Sequence, residues 1–401
     1  MFRRSAVERL ADLNPETEIW WDSSPLVYDT WKRKMIATAS PELRAELDEQ
    51  LTRFFNEENP ASSLVSGVTT NPPLSSQAIE GRPDIWIPWV DQLIRDHPYD
   101  TEESLFWRTY LEVVRRGSEM MRPIWEASRH RRGYLSGQVD PRIPFDEELM
   151  FKQALDLASQ NPNVMVKCPG TAEGIAVLRR LTAMGIATNC TLCFILPQFV
   201  AVMDAVQSGL AEARAAGVDM YRWRSVITHM SARYEEREAF DESAEQAGVV
   251  LSLEDKRWAS IAVFRKAYNV AQRVGYPGKM LFCSMRRGPF VNGVEHIWHV
   301  EMVAGGSIVF TCPPGFLAEM WDLDANLDFK PTIGDAIPAR TLEKLLRVPY
   351  FSEAYGEEMD MARFATLAPT VFTIQDFSRA TEKMIAFVRK RVAHTRTGEV
   401  G

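Results

Sequence analysis

The chain has 401 residues, 46% of them hydrophobic and 25% charged, with a net charge of −8. That is an ordinary folded-protein composition, and its acidic balance argues against a nucleic-acid binder, which needs a broad basic face. No stretch approaches the roughly 18 uninterrupted apolar residues of a membrane span. Met1-Phe2-Arg3-Arg4 leads into the charged, helix-like Ser5-Ala6-Val7-Glu8-Arg9-Leu10 and not into an apolar signal. A cytoplasmic protein without membrane or nucleic-acid partners is expected.

Strand-like runs follow in chain order: Ile19 to Asp22, Leu64 to Thr70 (stopped by Asn71-Pro72-Pro73), and Gly133 to Asp140. Next come Val164 to Lys167, Ala187 to Cys193, Ser225 to Met230, Met280 to Met285, and Ser307 to Cys312. They are short, apolar and rich in β-formers, as strands buried on both faces are. Between them lie segments of helical spacing. In Thr171 to Leu181, for example, Ile175, Leu178 and Leu181 share a stripe opposite Arg179 and Arg180.

Strand and helix alternate about eight times, which calls for a parallel sheet closed into a (β/α)8 TIM barrel. An open doubly wound sheet is the alternative, but its glycine-rich phosphate loop after the first strand is missing. One domain over 1–401 is expected. Residues 79–130 are too long for a single crossover and form a helical insertion of two or three helices. A helical tail runs from Arg340 with its best segment at Ala380 to Val388, and residues 394–401 form a flexible end.

The five cysteines stand at 168, 190, 193, 283 and 312. Cys190 and Cys193 form a C-x-x-C inside a strand-like run. Residues three apart on a strand point to opposite faces, so zinc and redox readings are set aside and each thiol is expected to pack as a small core residue.

Lys167 closes the run Val164-Met165-Val166 and so faces a core. Burial penalises its ammonium form and draws the pKa down from about 10.4, and a neutral amine attacks a ketone to form a Schiff base. A lone lysine at a strand end more often snorkels to water. This one has company: barrel sites lie at the C-terminal strand ends, and there the sequence places Asp22, Asn71, Gln138, Asn189, Thr191, Thr228, Ser284 and Arg286.

Several segments resemble the transaldolase family. Gly67-Val68-Thr69-Thr70-Asn71-Pro72 is similar to its threonine-asparagine-proline signature, and Val164 to Gly174 to the segment around its Schiff-base lysine. Arg180 to Leu192 is similar to the strand bearing its asparagine and threonine, and Cys283 to Arg286 to its late phosphate-binding strand. The resemblance implies a (β/α)8 barrel that needs no metal or organic cofactor, takes sugar-phosphate substrates, and is a monomer or homodimer. It implies that Lys167 forms an imine with the C2 carbonyl of a ketose phosphate and that Asp22 handles the proton on the C4 hydroxyl. Asn71 and Asn189 would hydrogen-bond the donor's hydroxyls, and Thr191 would orient a proton-shuttling water. Thr228 matches a small hydroxyl residue of the family. Arg233, Ser284 and Arg286 would hold the phosphate.

Three departures stand out. Gln138 occupies the place of a glutamate that works with the threonine-bound water. The fructose-6-phosphate aldolase branch carries glutamine there, but it also has a tyrosine where this chain has Met230. His229 and Met230 replace an apolar or Pro-Phe pair beside Thr228, and His229 is either a packed histidine or the missing base. The 11 tryptophans and the insertion at 79–130 either reshape the pocket for an unusual acceptor or, as aromatic residues at helical spacing more often do, pack in the core. The leading expectation is a transaldolase-type transferase. The alternatives are a lyase releasing free dihydroxyacetone and a catalytically weak sugar-phosphate binding relative.

Overall fold

The computed structural model describes residues 3–397. Each of the eight apolar runs forms a strand: β1 Glu18–Asp22, β2 Val65–Thr69, β3 Tyr134–Gln138, β4 Val164–Pro169, β5 Thr188–Cys193, β6 Ser225–Met230 and β7 Lys279–Cys283. A small antiparallel hairpin, β8 Phe290–Val291 and β9 Val294–Glu295, precedes the last of the eight, β10 Ile308–Cys312. The eight strands pair in parallel and close into a barrel, β10 returning to β1. Almost every strand residue is buried, because helices cover the outside and side chains fill the inside. That is why the strands read as apolar runs without alternation.

The barrel's N-terminal end is closed by charge. Glu18 is buried and ion-paired to Lys279 at 2.8 Å and to Arg224, and the indole nitrogen of Trp20 donates to it at 2.9 Å. Burial works against this carboxylate, but the Arg224 and Lys279 charges outweigh it and hold its pKa below the ordinary value. One layer up, Trp20 fills the interior and dictates Gly67 on the neighbouring strand, where a Cβ would lie 2.5 Å from the indole.

Residues 72–127 form helices Pro72–Glu80, Pro83–Asp96 and Glu102–Ala127, and the last packs on β3 as the crossover helix. All three also pack against the 30-residue C-terminal helix Ala368–Thr397. Of the end expected from His394, residues 394–397 form the last turn of that helix, and residues 398–401 lie outside the described residues. Among the described residues no helix is long and apolar enough to cross a membrane.

One expectation about β5 is corrected. Leu192 takes a left-handed backbone, φ 58°, and the pairing register with β6 slips between Cys190 and Cys193. The slip turns the two sulfurs toward each other, 3.5 Å apart, where a regular strand would set them on opposite faces.

Candidate active site

At the C-terminal end of the barrel, Lys167 opens on a cavity of about 450 Å³. Lys167 is 4% exposed, and among the described residues its amine makes no hydrogen bond or ion pair. Burial drives its pKa below the usual lysine value, opposed by the charge of Asp22 and by Cys283 and assisted by Arg233. Asp22 lines the same cavity and accepts a hydrogen bond from Thr69 Oγ1 at 2.6 Å. Thr69 Oγ1 in turn lies 2.6 Å from Thr311 Oγ1. Burial raises the Asp22 pKa, with the Lys167 charge, the Thr69 hydrogen bond and Arg233 pulling the other way. Each member of this pair therefore favours the charged form of the other, while burial disfavours both.

Asn71, Thr228, Arg233, Ser284 and Arg286 also line the cavity. Asn71 sits there because it caps helix Pro72–Glu80, its side-chain oxygen accepting from the backbone N–H of Leu74 at 3.0 Å. That oxygen is engaged, and the amide NH₂ is the half left for a ligand. Gln138, Asn189 and Thr191 are not among the residues that line the cavity, although all three are buried on the strands beside Lys167. Gln138 and Asn189 flank Lys167 in the pairing register, and Thr191 pairs with Pro169 two residues further along β4. Asn189 bridges the interior, donating to Ser136 Oγ at 3.0 Å and accepting from Thr228 Oγ1 at 2.8 Å. Thr191 Oγ1 has the Met230 sulfur at 3.8 Å. Gln138 Oε1 is buried without a hydrogen-bond partner among the described residues.

His229 does not face this cavity. Thr228 and Met230 line it, so the residue between them points outward, where it packs among Phe199, Tyr234, Phe264 and Phe282. Its Nδ1 meets the Cys193 carbonyl at 3.2 Å, and burial pushes its pKa down to about 3. The packed-histidine alternative describes it, and the missing-base alternative does not.

The helical tail expected after Arg340 is present as Ala368–Thr397; sequence reasoning missed that it crosses the mouth, and missed the carboxylates around the arginines. Arg233 is ion-paired to Asp376 at 2.8 Å, and Arg286 to Glu236 at 3.3 Å. Asp376, Phe377, Arg379, Ala380 and Lys383 of Ala368–Thr397 line the cavity's outer wall. Phe377 lies under the Arg233 guanidinium at 5.0 Å, a cation–π contact. Thr69 and Thr311 stand at strand ends, so the rule that found Asp22 would have found them too. A larger groove of about 1050 Å³, between helices Ala172–Ala183 and Leu196–Ala215 and residues 357–364, shares no lining residue with this site.

The closed parallel barrel with its polar residues gathered at the C-terminal strand ends is the architecture of the (β/α)8 barrel enzymes. Within that class the chain belongs to the transaldolase/fructose-6-phosphate aldolase family, whose model matches residues 26–384. It is 32% identical to a transaldolase of Saccharopolyspora erythraea over 86% of this chain and 94% of that protein. It is also 32% identical to transaldolase 1 of Streptomyces coelicolor, over 81% and 85%. With transaldolase 1 of Streptomyces avermitilis the identity is 33%, over 53% of this chain and 56% of that protein. The transferase, transaldolase-type reading of the sequence stands on this membership.

Proposed function

We propose that the protein transfers a dihydroxyacetone unit from a ketose phosphate to an aldose acceptor through an imine on Lys167. The observation that carries this reading is the buried, unpaired amine of Lys167 facing the same cavity as Asp22. An amine with a depressed pKa is a nucleophile near neutral pH. It adds to the C2 carbonyl, and loss of water gives the imine. Asp22 then takes the proton of the C4 hydroxyl as the C3–C4 bond breaks, its electrons passing into the protonated imine to leave an enamine, and the aldehyde departs. An acceptor aldehyde reverses these steps: the enamine carbon attacks it, Asp22 returns the proton, and water releases the new ketose.

Asn189 and the NH₂ of Asn71 are suited to the donor's hydroxyls, and Thr191 to a water that moves protons during imine formation. Arg233, Ser284 and Arg286 form the phosphate end, where a guanidinium's planar fork suits two-point contact.

Borohydride reduction in the presence of fructose 6-phosphate tests the reading. The expected result is a mass gain on Lys167, and no adduct with any ketose phosphate would sink it. Product that forms only when erythrose 4-phosphate is added marks transfer.

A second reading, cleavage to free dihydroxyacetone, is favoured by Gln138. Its buried, unpartnered Oε1 accepts hydrogen bonds but takes no proton, so the water beside Thr191 has a weaker base than a glutamate would supply. Free dihydroxyacetone released without an acceptor would support it.

A further inference from the structure

Behind the phosphate end lies a buried polar cluster to which no step above assigns a role. After β7 the chain turns through Ser284, whose backbone is left-handed at φ 58°, and then presents Arg286. The backbone N–H of Arg286 donates to Nδ1 of His299 at 2.9 Å. A ring nitrogen that accepts carries no proton, so the proton of His299 is on Nε2. That atom lies 3.0 Å from Glu235 Oε2, which also accepts from Ser260 Oγ at 2.7 Å and is ion-paired to Arg257. Arg257 reaches back to the carbonyl of Arg287 at 3.1 Å. Glu235, Ser260 and His299 are each 0% exposed.

The position of Glu235 gives the cluster its meaning. Glu235 ends the short helix Ser231–Glu235, and Arg233 is on that same helix. That helix is bonded to the turn at its start as well, Ser231 Oγ donating to the Cys283 carbonyl at 2.9 Å. Thus one element carries Arg233, another carries Ser284 and Arg286, and a chain of buried hydrogen bonds through His299 joins them. A helix of five residues has little stability of its own, so its register against the turn must come from such contacts.

We propose that His299, locked in one tautomer by Glu235, is a positioning residue that fixes the turn bearing Ser284 and Arg286 relative to Arg233, and so sets affinity for the substrate's phosphate monoester. His299 touches no substrate. It acts by supplying a single acceptor to the Arg286 backbone. The inference rests on the functional reading above for the identity of the ligand, and its test is arranged to separate the two.

Two substitutions split the histidine's halves. His299→Asn keeps an acceptor near the Nδ1 position and gives up the tie to Glu235, while His299→Gln keeps a donor toward Glu235 and gives up that acceptor. Two readouts are taken on each: binding of inorganic phosphate by calorimetry, and borohydride trapping of unphosphorylated dihydroxyacetone on Lys167. His299→Gln is expected to weaken phosphate binding, and to raise KM for fructose 6-phosphate, by about tenfold, the loss of one well-placed hydrogen bond, while still trapping dihydroxyacetone. His299→Asn is expected to recover most of that affinity.

Phosphate affinity unchanged in His299→Gln, or lost equally in both variants together with trapping, would overturn the inference. If His299→Gln does not fold, His299→Asn decides alone: affinity within about threefold of the parent protein supports the acceptor role, and a tenfold loss rejects it. A parent protein that binds phosphate but traps no ketose would refute the Lys167 reading and leave the phosphate arm to judge His299.

Discussion

The guanidinium of Arg233 and the carboxylate of Asp376 meet 2.8 Å apart across the mouth of the barrel. One belongs to the element after β6 and the other to the C-terminal helix, 143 residues later. Under the proposed assignment of Arg233 to the phosphate, a carboxylate on that arginine occupies the place a phosphate oxygen would take, and Asp376 would compete with the ligand's anion.

It follows that Asp376→Asn should lower KM for fructose 6-phosphate by about fivefold at low ionic strength, the strength of a partly exposed ion pair, with the difference shrinking in salt. Steady-state kinetics at two salt concentrations checks this. An unchanged or raised KM would show that the carboxylate orders Arg233 for substrate and does not compete with it.

Asp22→Asn should move imine formation to lower pH. The negative charge of Asp22 raises the Lys167 pKa against the pull of burial, so its removal lets the amine lose its proton sooner. The initial rate of dihydroxyacetone trapping against pH measures the shift, and a midpoint displaced upward would contradict it. The same variant should be more stable at neutral pH. The folded pKa of Asp22 lies above its ordinary 3.8, so its stabilising contribution is full below that value and is lost as pH rises through the folded pKa. Thermal unfolding at pH 7 reads this second effect.

Gln138→Glu should raise transfer to erythrose 4-phosphate, because the new carboxylate stands beside Lys167 in the sheet and accepts the proton that an amide refuses. Coupled assays of parent and variant at equal enzyme decide it. Equal or lower activity would place the proton relay elsewhere.

Gly67→Ala should cost about 2–3 kcal/mol, because its methyl would meet the Trp20 ring at 2.5 Å in a filled interior. Denaturant unfolding measures the loss. The double variant with Trp20→Leu should recover part of it if the clash is the cause.

The barrel was legible from the sequence because every strand is buried on both faces and so shows as a short apolar run between helical segments. Lys167 stood out for the same reason, as a charge ending such a run. The shape of the mouth could not be read this way. Asp376, Arg379 and Lys383 look like the solvated side of an amphipathic helix, and only its docking across the barrel makes them cavity wall. The Cys190–Cys193 approach depends on a left-handed leucine, a backbone choice without a compositional trace. His229 stayed open between two roles in the sequence, although period-two alternation from an inward Thr228 turns its neighbour outward. His299 and Glu235 each look unremarkable alone, and their meeting is created by tertiary structure.

The ionic seal at Glu18 makes the barrel a cup with one rim. In the proposed exchange the departing aldehyde and the incoming one must use the same doorway, in turn, past Ala368–Thr397. The two sugars then never wait side by side, and velocity plots at several fixed acceptor concentrations should run parallel.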